Sequence, residues 1–143
     1  MQRNYQDSYL EDRVYSASPV ELIRMLYRAA IESVDQARQC LGSDDIAGRN
    51  RAVNRACDIV VELTQSLRAE ETGTADFERR LRQLYDFVLT RIADGHTLKK
   101  DAPLAEAKGV LETLLQAWEA VPEPHPAAMA TTASGEDRLS FQA

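Results

Sequence analysis

The run Ser18-Pro19-Val20-Glu21 constrains this chain more than any other segment. A Ser at the cap, a Pro at the first helical position and a Glu three residues beyond the cap together specify a helix start. Downstream, Val20, Ile23, Tyr27, Ala30, Val34, Ala37 and Leu41 recur in alternating steps of three and four. That spacing is one apolar seam of a helix, with Gly42 as the expected stop. Leu22, Met25, Leu26 and Ala29 form a second stripe beside it. The apolar arc is wider than a two-stranded coiled coil uses, so the helix must be contacted on two sides.

The same period returns three times. A second helix is expected from Asp44 or Asp45, with Ile46, Asn50, Val53, Cys57, Val60, Thr64 and Leu67 as its seam and Ala52, Ala56, Ile59 and Leu63 alongside. Thr74 is placed to cap a third, carrying Phe77, Leu81, Leu84, Tyr85, Val88, Leu89 and Ile92 and closed by Gly95. Asp101 is placed to cap a fourth, carrying Leu104, Ala107, Leu111, Leu114, Trp118 and Val121, and Pro122 ends it. No stretch alternates with period two for long enough to make a strand. The expected fold is all-α: an antiparallel up-down four-helix bundle over residues 18–121, with helices near 18–41, 45–70, 75–94 and 102–121.

Two segments fall outside the bundle. Residues 122–143 hold Pro122, Pro124 and Pro126, and their sizeable apolar side chains are Met129, Leu139 and Phe141. So little burial cannot offset the entropy of ordering, and a disordered tail is expected. Residues 1–17 differ. Tyr5, Tyr9, Leu10, Val14 and Tyr15 give this arm apolar area, and the pairs Tyr5–Tyr9 and Leu10–Val14 suit one face of a short extra helix.

Composition narrows the function. There are 17 Lys plus Arg against 23 Asp plus Glu, a formal net charge of −6, which opposes a dedicated nucleic-acid binder. The same charge opposes a peripheral membrane helix, whose polar face is rich in Lys and Arg. No apolar run approaches the roughly 18 residues of a membrane span, and the N-terminal residues lack a signal-peptide core, so no membrane insertion and a cytoplasmic location are expected. The two cysteines, Cys40 and Cys57, would lie roughly 15–20 Å apart on successive helices, too far for a disulfide.

Catalytic and metal-binding patterns are missing. The two histidines, His96 and His125, fall in an expected loop and in the tail, so the Glu-x-x-His pairs of a di-iron bundle cannot be built. No Gly-rich phosphate loop or nucleophile elbow is present. The acidic pairs Asp44-Asp45 and Glu70-Glu71 stand at helix ends, where capping and solvation explain them. The expectation is a non-enzyme with no cofactor. An acidic bundle with an apolar arm most often binds a helix, because grooves between helices accept an amphipathic partner. A self-associating or regulatory module is the competing reading.

Four stretches, in order, resemble one family, the flagellar export chaperones for flagellin (the FliS family). Tyr5-Gln6 and SASPVELIRMLYRAAI over residues 16–31 are similar to its Tyr-led arm and first helix. ACDIVVELTQSLRAE over 56–70, LRQLYDFVLTRI over 81–92 and LETLLQAW over 111–118 are similar to its later helices. The pattern departs where Arg28-Ala29 replace Asp-Gly, where Arg68 replaces Asp, and where Asp94-Gly95-His96 replace Ala-Asn.

The resemblance implies a cytoplasmic chaperone without ATPase activity. It would hold the C-terminal segment of flagellin as helices wrapped on the bundle, preventing premature polymerisation before export. Other flagellar or regulatory proteins are further partners in this reading. Candidate client contacts are Leu22, Met25, Asn54, Ile59, Leu63, Leu67, Tyr85, Val88 and Leu89, although core and groove share one periodicity. The arm residues Tyr5, Tyr9, Leu10, Val14 and Tyr15 are expected to cover part of that groove until the client displaces them.

Overall fold

A computed structural model describes residues 18–69 and 75–122 of the chain. Among these residues the structure is all helical. Helix α1 spans Pro19–Gly42, α2 Ile46–Ala69, α3 Ala75–Leu98 and α4 Asp101–Glu119. Each of α1 and α3 packs against both α2 and α4, so the four helices close a ring around one core. The arm, Thr74 and the tail beyond Pro122 lie outside the described residues.

Local chemistry explains where the helices begin. Ser18 is extended, and its Oγ accepts from the Glu21 N–H at 3.1 Å. Asp45 starts α2, its Oδ1 accepting from the Gly48 N–H at 2.9 Å. Helix α4 differs from expectation. Its cap is Lys100, with no side-chain bond, and Asp101 is the first helical residue. An acidic side chain in a first turn still complements the helix dipole.

The helix ends are not made by the expected glycines. Gly42 and Gly95 both lie within their helices. The left-handed residues are Asp44, with φ 60°, and Lys99, with φ 57°. Beyond each, an N–H reaches back across the last turn: Asp45 to the Cys40 carbonyl at 2.9 Å and Lys100 to the Gly95 carbonyl at 3.0 Å. These are the six-to-one bonds of a Schellman cap. Gly95 serves packing instead. It is buried, and a Cβ there would stand 2.6 Å from Leu104 Cγ. Its bare backbone lets the start of α4 close on α3.

The core is Tyr27, Ala30, Val34 and Ala37 of α1; Ala52, Val53, Ala56, Val60 and Leu63 of α2; Leu81, Tyr85, Val88 and Ile92 of α3; and Leu104, Ala107 and Leu111 of α4. Fully burying one Val, Leu or Ile side chain contributes about 1.5–3 kcal/mol. The α1 seam holds. The α2 seam holds in part: Val53 and Val60 are buried, but Ile46 and Asn50 are exposed, Cys57 and Thr64 are half-buried, and Ala52, Ala56 and Leu63 of the neighbouring stripe face inward as well. At the start of α2, Gly48 leaves room for Cys40 of α1. Phe77 and Leu84, also expected inside, are 51% and 37% exposed.

Polar bonds fix the order of contacts along each interface. Arg38 binds Asp101 through Nε and Nη2 at 2.7 and 3.0 Å, Lys108 reaches Asp35 at 3.0 Å, and Arg28 reaches Glu119 at 3.2 Å. Arg24 is buried and donates from Nε and Nη2 to the Trp118 carbonyl and from Nη2 to the Val121 carbonyl. A guanidinium therefore closes the end of α4, where backbone carbonyls lack helical donors. Arg91 joins α3 to Glu106 of α4 at 2.7 Å. Arg49, buried on α2, donates to His96 Nδ1 on α3 at 3.1 Å. No buried side-chain nitrogen or oxygen among the described residues lacks a partner.

Candidate docking surface

The proposed client contacts fall into three groups. Leu63, Tyr85 and Val88 are at most 1% exposed and belong to the core. A docked helix cannot touch them without opening the bundle, so they leave the set of surface contacts. The reason is the shared periodicity: on α3 the expected groove stripe is the inward one. Leu22, Met25, Ile59, Leu67 and Leu89 are half-buried at helix edges, and Asn54 is exposed. Leu22 and Met25 share a flank of α1 with Ala29 and Ser33, and Ser33 Oγ accepts from Arg55 of α2 at 3.2 Å. They border the α1–α2 seam. Leu89 lies seven residues before His96, which meets α2 through Arg49, so it borders the α2–α3 seam.

A third flank escaped the sequence reading. Between α3 and α4, Leu84, Glu106, Gly109, Val110, Thr113 and Leu114 line an open cleft of about 510 Å³. Phe87, one turn beyond Leu84 on α3, is 40% exposed. Leu114 and Val110 pack on the core from one side and present their other side to the cleft. The floor is open because Gly109 has nothing within 4 Å of the position a Cβ would take. Thr113 Oγ1 donates to the Gly109 carbonyl at 3.0 Å, so its hydroxyl is satisfied within α4. A mid-helix glycine costs up to about 1 kcal/mol of helix propensity. Gly109 on an outward face was the available sequence signal.

The remaining chemistry is structural. Burial pushes the Cys57 thiol up, and the neighbouring Asp58 charge adds to this, so it is a poor nucleophile. Cys40 and Cys57 are both free. Burial likewise raises the Tyr27 and Tyr85 hydroxyls and keeps both neutral. Among the described residues, no cluster of His, Cys, Asp and Glu is arranged to hold a metal ion, and no helix is long and apolar enough to cross a membrane.

Four of the departures from the family pattern, Arg28, Asp94, Gly95 and His96, are absorbed into the bundle. Arg28 pairs with Glu119 and Glu21, Gly95 admits Leu104, and His96 receives Arg49. Asp94 pairs with Arg91 at 2.7 Å. The Arg28–Glu119, Gly95–Leu104 and Arg49–His96 contacts tie helices together, while the Asp94 pair lies within α3.

The chain is 25% identical over 118 residues to the flagellar secretion chaperone FliS of Vibrio cholerae, covering 82% of this chain and 85% of that protein. It is 26% identical over 117 residues to the protein of the same name from Salmonella typhimurium, covering 82% and 86%. The Bacillus subtilis protein of that name is 25% identical over 117 residues, covering 82% and 85%. The family described as flagellar protein FliS matches residues 1–125, and the chain belongs to that family.

Proposed function

We propose that this protein is a cytoplasmic export chaperone that binds the C-terminal segment of flagellin, keeps it from polymerising prematurely and delivers it for secretion. The observation that carries the reading is the apolar α3–α4 cleft on a bundle whose relatives are named flagellar secretion chaperones. An amphipathic client helix would lay its apolar face on Leu84, Val110 and Leu114. Leu22, Met25 and Ile59 beside α1–α2, with Asn54, Leu67 and Leu89 on α2 and α3, would extend contact around the bundle. The role is non-catalytic: binding alone hides the apolar face.

The scaffold reading that goes with it is an antiparallel up-down course. It is supported by the progression of α1–α4 pairs from Arg24 with Trp118 to Arg38 with Asp101. The arm residues Tyr5, Tyr9, Leu10, Val14 and Tyr15 remain proposed as a displaceable cover.

The test is calorimetric titration with a peptide of about 40 residues from the cognate flagellin C-terminus, with circular dichroism on the same samples. Saturable one-to-one binding, a negative heat-capacity change and a gain in helix are expected. A folded bundle that binds no such peptide would sink the proposal and favour a different flagellar partner.

A further inference from the structure

The α3–α4 cleft has an address along the chain. Gly95 meets Leu104, Arg91 meets Glu106, and Leu84 lines the same cleft as Val110 and Leu114. As the number falls on α3 it rises on α4. Continued by the same step, this progression runs from Phe77 toward the C-terminal end of α4, beyond which Val121 is 36% exposed. Leu84, Val110 and Leu114 line the cleft itself, and Phe87, one turn beyond Leu84, is 40% exposed, so apolar residues cluster on this face rather than standing singly. The described chain ends at Pro122, just past the end of α4.

We propose that the C-terminal segment of this same chain occupies the cleft through Leu139 and Phe141. Residues two apart share one side of an extended segment, so these two enter a groove together. Arg80, exposed one turn before Leu84, offers a counter-charge to Glu136 and Asp137, which precede the apolar pair.

The tether length fits. Leu139 is the seventeenth residue after Pro122. A flexible chain of that length spans roughly 21–25 Å. The path back along α4 from Val121 to Val110 is roughly 17 Å at helical rise. A linker whose length matches its span holds its end at about millimolar effective concentration. Contacts too weak to be seen between separate molecules are therefore enough to fill the cleft.

The tail is then a built-in competitor for any helix that docks there. That consequence rests on the client reading above; the occupancy itself does not. The experiment uses the full chain without client. Methyl-labelled protein is examined by nuclear Overhauser spectroscopy at several protein concentrations. The expected result is contacts from the Phe141 ring to the Val110 and Leu114 methyl groups, unchanged on dilution. The double variant L139S/F141S should shift the Leu84, Val110 and Leu114 methyl signals and leave those of Val34 and Val88 in place. Thr113→Arg, at the exposed cleft edge, should erase the Phe141 contacts in a folded protein. Absent contacts, or methyl signals indifferent to L139S/F141S, would overturn the proposal. So would contacts that fade on dilution, which would identify a second copy as the occupant.

Discussion

The hydroxyls of Tyr27 and Tyr85 lie 2.6 Å apart in the core, joining α1 to α3 across the bundle. Their rings are tilted by 52° with centroids 6.4 Å apart. Tyr27→Phe removes this bond and leaves the Tyr85 hydroxyl buried without its partner, at a cost of about 1–3 kcal/mol. Tyr85→Phe does the same to the Tyr27 hydroxyl and should cost a similar amount. The double variant should cost clearly less than the two singles summed, as expected for residues in one network. Urea denaturation of the four proteins measures this; strict additivity would mean that the hydroxyl contact carries no coupling.

Arg24 makes a separate prediction. It is 8% exposed and holds the Trp118 and Val121 carbonyls. Arg24→Met keeps the aliphatic stem and removes the donors. A loss of about 1.5–3 kcal/mol is expected, the range for bonds to a charged group. Arg24→Lys should recover little, because an ammonium cannot span two carbonyls as the planar guanidinium fork does. Denaturant midpoints followed by Trp118 fluorescence report on the helix end directly.

The turn between α3 and α4 should respond to its two neighbouring positions with opposite signs. Lys99 is left-handed, so Lys99→Gly relieves backbone strain and should stabilise by about 0.5–1 kcal/mol. Gly95→Ala gains about 1 kcal/mol of helix propensity but drives a methyl into Leu104. Overpacking of that kind costs about 1–3 kcal/mol, so a net loss is expected. Thermal midpoints of the two variants settle the signs.

Asp101 links stability to pH. The bond from Arg38 holds its carboxyl below the usual carboxylate range, and burial opposes this only in part. The pair therefore stabilises the fold above the unfolded carboxyl value of about 3.9 and ceases to do so as pH falls through the lower folded value. Because the Asp101 side chain is 51% exposed, the full effect is about 0.5 kcal/mol. Wild type should exceed Asp101→Asn by that amount at neutral pH, and the difference should shrink in acid below about pH 4. A difference independent of pH would locate the effect elsewhere, in the helix dipole or in packing.

The helical fold was legible because each periodic run carries its own phase. Ser18 and Glu21 announce a cap that the structure contains. What sequence could not assign was depth. On α2, Cys57 and Ala56 are adjacent apolar residues that each fit a helical seam, yet Ala56 is buried and Cys57 half-buried. On α3, Tyr85 and Leu84 satisfy the same seam, yet one is buried and the other lines a cleft. A buried tyrosine hydroxyl needs a hydrogen-bond partner that its own helix does not supply. Tyr27 supplies the missing partner from 58 residues away, and no local pattern encodes such a pairing.

Gly109 gives the cleft a particular manner of contact. With no Cβ on its floor, an element laid there meets main chain before it meets side chain, and its axis can approach α4 nearer 8 than 10 Å. At that separation, Cα–H groups and carbonyls lie within reach of one another. Such contacts are indifferent to which residues the visitor carries. The walls at Leu84 and Leu114 require only that it be apolar, so this surface tolerates drift in a partner's sequence while demanding a slender backbone.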